Sequence, residues 1–274
     1  MKTAAWVGLL ALVALVALAG CQTVRTTEGG IVGVDRPQRM STLVSTEKFN
    51  RDAAGAYKKV LEEASKKGQL NRDAAQVERV RRIANRLVPS TSAFRRDATG
   101  WDWEVNVITS NEVNAWCMPG GKIAVYTGLV AKLNPTDDEL AAVMGHEIAH
   151  ALREHSREQY SQVVAQGLII DILGTATRAS ASTQNASQVF LELFVNRPHS
   201  RVDETEADRI GVELAARSGH DPRAAVSLWQ KMGKLGGGKP PEWLSTHPSD
   251  ETRVRDLQNY SERVMPLYES SRKR

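Results

Sequence analysis

The chain has 274 residues, of which 41% are hydrophobic and 25% charged, with two cysteines. That composition excludes collagenous, mucin-like and disulfide-stapled proteins, and at this length a core forms without staples, so a metal would serve chemistry rather than folding. The net charge is only +4 and acidic residues are interspersed with basic ones, so nucleic acid is not an expected partner.

Residues 1–20 read as a signal peptide. Lys2 precedes an uncharged apolar stretch that closes on Ala19 and Gly20, too short to span a bilayer. Leu18-Ala19-Gly20-Cys21 resembles the lipobox of bacterial lipoproteins, which makes Cys21 the expected lipidation site and first mature residue. Gln22 in place of Asp favours the outer membrane, periplasmic face. With Cys21 acylated, Cys117 has no partner in the chain, and no structural disulfide is expected.

Residues 21–48 carry Gly29-Gly30, Gly33 and Pro37 without sustained periodicity and are expected to be a tether between lipid and domain. A single domain is expected over 49–274. Helices are predicted over 51–67 and from an Asn71 cap to Leu87, the second with Val77, Val80, Ala84 and Leu87 on one face and Arg79, Arg82 and Arg86 on the other, solvated face. Alternation of Trp101, Trp103, Val105 and Val107 predicts a strand, and Pro119-Gly120-Gly121 precedes a second over 122–126. Thr136-Asp137-Asp138-Glu139 is a capping box that opens a helix expected to run to about Tyr160. Residues 167–187 are expected to form a mobile excursion. Helices follow over 202–218, 222–235 and 249–268.

The chemistry lies in His146-Glu147-Ile148-Ala149-His150. Residues four apart share a helix face, so both imidazoles can address one metal, with Glu147 beside the open position. Two histidines and one further ligand leave room for water, as in a catalytic zinc site. The third ligand is sought among Asp203, Glu204, Glu206 and Asp208. Glu204 and Asp208 share a face, so that one can bind the metal while the other accepts the free N–H of a ligating imidazole. Glu206 is expected to point to the other side. His155 is offset from His150 by five residues, is expected to face away from the metal and is read as structural. His199 and His220 are read as ordinary surface residues.

Taken with Ser200 to Asp208, with Thr246-His247-Pro248 and Arg253, and with Asn114 to Gly121 followed by Ile123 and Tyr126 to Leu129, the motif resembles the gluzincin metallopeptidases related to the CAAX prenyl protease. That family has the bacterial members HtpX, BepA and LoiP, and the likeness is nearest to the LoiP-type lipoproteins. The resemblance implies one Zn2+ per chain, held by His146, His150 and Glu204, with Asp208 supporting a ligand and Glu147 as catalytic acid/base. It implies that His247 and Arg253 face the zinc across the cleft, as oxyanion donors, or with His247 as a latch in the open zinc position. The segment Gly121, Lys122, Ile123, Ala124 and Val125 is expected to bind an extended substrate by strand addition, the alternative being an ordinary interior strand.

The fold class expected is mainly helical α+β, a zincin-like domain with a small sheet on the zinc helices. The function expected is a lipid-anchored periplasmic zinc endopeptidase that degrades damaged or misassembled envelope proteins, with a possible tie to outer-membrane assembly machinery. The alternative is an outer-membrane protein assembly factor or chaperone with a latent protease site.

Overall fold

The computed structural model describes residues 21–164, 197–235, 242–247 and 251–273. The expected signal peptide and the whole of the excursion expected over 167–187 lie outside them. The described chain is mainly helical with two small sheets, the α+β class expected. None of its helices is long and apolar enough to cross a membrane.

In chain order a hairpin of β1 (Cys21–Val24) and β2 (Gln38–Ser41) is followed by α1 (Thr46–Lys66) and α2 (Ala74–Leu87). A three-stranded sheet comes next, from β3 (Glu104–Ile108), β4 (Ala115–Met118) and β5 (Lys122–Tyr126), then α3 (Thr127–Leu133) and α4 (Asp137–Leu152). The remainder is α5 (Arg201–Arg217), α6 (Ala224–Lys234), α7 (Glu242–Thr246) and α8 (Glu251–Ser271). The helix starts are local chemistry. Thr136 and Glu139 close the expected box on α4, and Ser200 and Asp203 close a second on α5, a cap contributing about 1 kcal/mol. Asp73, not Asn71, caps α2; Asn71 takes a left-handed φ of 50° and bonds across to β3.

The core-facing residues of α2 are buried as the periodicity predicts. Its basic face is solvated at Arg82 and Arg86, as expected, with Arg79 half-buried. Arg79 and Arg82 both reach Asp137 at the start of α4, and Arg86 donates to the Ser218 and Gly219 carbonyls.

The sheet order is β3-β5-β4, with β5 parallel to β3 and antiparallel to β4. This corrects the expectation that the strand from Gly121 to Val125 receives substrate. Its backbone is hydrogen-bonded on both sides, so no edge is left to add a strand to. The strand β4 packs on α4, and among the described residues no further strand pairs with its outer edge.

Residues 21–48 are part of the domain rather than a tether. Val32, Val34 and Met40 are buried, Val32 N–H donates to Glu213, and Glu28 N–H donates to the Phe94 carbonyl. Gly30, at φ 60°, approaches so closely that a Cβ would stand 2.5 Å from the Phe94 ring. Alternating polar and small residues hid this packing, because the segment buries side chains singly against distant elements and not along one periodic face.

Helix α4 is also shorter than expected. It ends at Leu152, Glu154 adopts a left-handed φ of 52°, and helix resumes over 155–164. Arg153 is the cause. Fully buried, it donates to Glu206, to Thr27 Oγ1 and to the Arg36 carbonyl, while its own carbonyl accepts from Gln38 and Thr26. Those long-range bonds outweigh local helix propensity.

Candidate metal centre

Helices α4 and α5 cross with glycine against glycine. A Cβ on Gly145 would lie 2.9 Å from the Gly211 carbonyl oxygen, so only the absence of side chains lets the backbones approach. The crossing sets His146 and His150 of α4 opposite Glu204 of α5.

His146 Nε2 and His150 Nε2 are 3.1 Å apart, and they lie 3.6 and 3.4 Å from the two carboxylate oxygens of Glu204. His247 joins them. One ligand atom from each of these four buried residues falls within 4.8 Å of the others. Burial pushes the imidazoles of His146, His150 and His247 below their ordinary range, toward the neutral form that binds metals. Glu204 Oε1 and His247 Nε2 have no hydrogen-bond partner among the described residues. A buried carboxylate oxygen without a donor, beside bare imidazole nitrogens, fits a cation, and a nitrogen/oxygen donor set of this size suits zinc.

The surroundings orient these groups. His146 Nδ1–H donates to Asp208 Oδ1 at 3.0 Å, one turn beyond Glu204 as the spacing predicts. Arg253 donates from Nε and Nη2 to Asp208, sets Nη1 2.7 Å from Glu204 Oε2 and lies on the Trp229 ring. Burial would raise the Asp208 carboxyl, but Arg253 and His146 outweigh it and hold the group below its usual range. Arg253 thus turns its guanidinium to the two carboxylates, in place of the oxyanion contact expected of it. The geometry makes it a positioning residue.

Glu147 is buried, and Trp243 Nε1–H donates to its Oε1 at 2.8 Å. Burial pushes its carboxyl up to about 8, with the indole N–H and Arg253 pulling the other way. Trp243 stacks on His247 at 4.7 Å, one helical turn before it. Sequence reasoning missed Trp243; its four-residue spacing from His247 was the available signal. Cys117 is buried and free, and burial raises its thiol, which does not suit a nucleophile.

Three histidine readings change. His155 does not face away, since its Nδ1 lies 2.8 Å from His150 Nδ1 and its Nε2 3.1 Å from Glu206. The break after Leu152 turns it inward, and Glu206 with it belongs to the site's surroundings. His199 stacks on His150 with ring centroids 4.0 Å apart. His220 is buried rather than superficial and pairs with Asp138 at 2.8 Å, away from the centre. His155, Asp203 and Glu206 also sit closely enough to hold an ion. The guanidinium groups of Arg36 and Arg153 already occupy their oxygens.

Two imidazoles one helical turn apart, a carboxylate from a crossing helix and a second carboxylate beside them define a centre of the zinc metallopeptidase type. Residues 74–261 match peptidase family M48, and the chain belongs to that family, whose metalloproteases are zinc-dependent. Over 180 residues it is 37% identical to the mitochondrial metalloendopeptidase OMA1 of Arabidopsis thaliana, a match covering 62% of this chain and 34% of that protein. It is 28% identical over 218 residues to metalloprotease YcaL of Escherichia coli, covering 74% of this chain and 83% of YcaL. It is also 28% identical to the beta-barrel assembly-enhancing protease of Yersinia pestis, covering 67% of this chain and 38% of that protein. The chain therefore spans about a third of the OMA1 relative.

Proposed function

We propose that the chain is a zinc-dependent endopeptidase whose metal is held by His146, His150 and Glu204 and whose acid/base is Glu147. The observation that carries this reading is the buried convergence of those three ligands beside a Glu147 carboxyl held by Trp243. Zinc in this site would supply Lewis acidity toward the scissile carbonyl and lower the pKa of water. Glu147 takes a proton from the attacking water and passes it to the departing amine. Trp243 fixes one oxygen of that carboxylate, and Asp208 with Arg253 fixes His146 and Glu204. An extended substrate pairs with the outer edge of β4, beside the metal helix, since β5 has no free edge.

The substrates fitting main-chain recognition are unfolded or misassembled proteins. The likeness of residues 18–21 to a lipobox, with Gln22 after the cysteine, supports anchoring through Cys21 at the periplasmic face of the outer membrane. Similarity to a beta-barrel assembly-enhancing protease supports envelope quality control as the setting. Because residues 21–48 pack on the domain, such an anchor would hold the protease close against the bilayer. Labelled palmitate should enter the wild type and not Cys21→Ser.

A latent state is the second reading, favoured by one observation. His247 Nδ1 contacts the Trp243 carbonyl at 3.1 Å, which can only accept, so a neutral His247 carries its proton there. The bare Nε2 lies 3.6 Å from Glu147 Oε1, and one nitrogen of His247 falls within 4.8 Å of the ligand atoms of His146, His150 and Glu204, as suits a fourth ligand and not an oxyanion donor.

The test is casein cleavage by the full chain in detergent, with bound zinc measured in parallel. Wild type should cut and hold one zinc. Glu147→Gln should keep zinc and lose at least about 100-fold in turnover, while His146→Ala and Glu204→Ala lose the metal. Stoichiometric zinc in Glu204→Ala would reassign the third ligand; no zinc in the wild type would remove the reading altogether.

A further inference from the structure

Among the described residues His150 Nδ1 has no carboxylate to orient it, unlike His146, which donates directly to Asp208. Its Nδ1 meets another imidazole. We propose that His155, anchored by Glu206, is a positioning residue that selects the tautomer of His150 able to bind a metal. This rests on the reading of His150 as a ligand.

Glu206 fixes the direction of the first hydrogen bond. Its oxygens receive Arg153 Nε and Nη2 at 3.0 and 2.8 Å and Arg36 Nε at 2.7 Å, so it is ionised and can only accept. His155 Nε2, 3.1 Å from Glu206 Oε2, must donate. A neutral imidazole protonated at Nε2 has a lone pair at Nδ1, and His155 Nδ1 lies 2.8 Å from His150 Nδ1. Two lone pairs facing each other at that distance repel, so His150 carries its proton on Nδ1. Its Nε2 is then bare and faces His146 and Glu204. With His155 0% exposed and Glu206 also buried, no solvent competes for these positions.

The backbone is built for this contact. On an unbroken helix, five residues would rotate His155 roughly 140° away from His150. The left-handed turn at Glu154, φ 52°, brings it back, and that conformation is unfavourable for a residue with a Cβ. Glu154 is held there by Arg95 at 2.5 Å and by Arg157. If His155 instead carried protons on both nitrogens, His150 would have to accept at Nδ1 and bear its proton on Nε2, against the metal ligands.

Long-range proton–nitrogen correlation spectra of the zinc-loaded full chain, labelled at histidine, read the tautomers directly, because a cation between His146 Nε2 and His150 Nε2, 3.1 Å apart, is what lets both stay bare. The expected result is His150 protonated at Nδ1 only and His155 at Nε2 only. His150 protonated at Nε2, or a doubly protonated His155 at neutral pH, overturns the proposal without reference to any variant. Zinc affinity by chelator competition gives the second readout. His155→Phe keeps the ring and removes both nitrogens, and should bind zinc about 10–100-fold more weakly. His155→Asn, whose amide oxygen and nitrogen can accept and donate with similar separation, should recover most of that loss. A folded His155→Phe with wild-type zinc affinity would sink the positioning role. Wild-type zinc affinity in His150→Ala would instead remove the ligand reading beneath it, so the two failures are distinct.

Discussion

Gly211 faces the backbone of His146 so closely that a Cβ on it would stand 2.9 Å from the His146 nitrogen and 3.1 Å from the Gly145 carbonyl carbon. The approach of α5 to α4, and with it the span from Glu204 to the two imidazoles, is set by two missing side chains. Gly211→Ala should force the helices apart, at an overpacking cost of about 1–3 kcal/mol. A fall of several degrees in melting temperature with weakened zinc binding is expected, measured by calorimetry and chelator competition. Gly55→Ala on α1, where a Cβ meets nothing within 4 Å, should be neutral or stabilising by up to about 1 kcal/mol.

His247 separates latch from oxyanion donor. With His247 grouped with the three ligands and its bare Nε2 beside Glu147, His247→Ala should open the site and raise cleavage of casein several-fold at unchanged zinc content. A 10-fold or larger fall in turnover would restore the oxyanion role, since removing such a donor costs on that order or more.

Arg36 fastens the N-terminal segment to the site. Its guanidinium reaches Glu158 at 3.0 Å, Asp203 at 3.1 Å and Glu206 at 2.7 Å, all three nearly buried. Arg36→Ala leaves those carboxylates short of counter-charge, with a loss on the order of 1–3 kcal/mol. Limited proteolysis should then cut within residues 25–45 faster than in wild type, and equal rates would mean that the hydrophobic contacts of Val32 and Val34 suffice.

Acid sensitivity should trace in part to Glu139. Burial would raise its carboxyl, but Lys231 at 2.6 Å, the Thr136 N–H and Ser227 together hold it below the usual range. A carboxyl depressed in the folded state stabilises above its unfolded pKa and loses that contribution as pH falls through the folded value. Glu139→Gln should therefore melt below wild type at pH 7, and the gap should narrow as the pH drops below about 4. A gap independent of pH would mean that the lost charge is irrelevant and only the cap matters.

The metal helix was legible before any coordinates because its signals are local. A capping box, two histidines four apart and an adjacent glutamate all lie within one helix, as do Glu204 and Asp208 on the next. Helical geometry converts those spacings into shared faces with no knowledge of the rest of the chain. The expected boundaries of α2, α5, α6 and α8 fall within a few residues of those found, for the same reason.

What needed the tertiary structure is what depends on residues far apart in sequence. Arg153 ends α4 because Thr27, Arg36 and Glu206 converge on it, and that ending turns His155 toward His150 against the helical rule. Strand order placed β5 in the middle of its sheet, which alternation along a single strand cannot reveal. Residues 21–48 looked like a linker because each buried side chain finds its own distant partner. Sequence alone determined the chemistry within each helix; the fold decided which helices meet, because close packing and buried charge pairing are settled only when all partners are present.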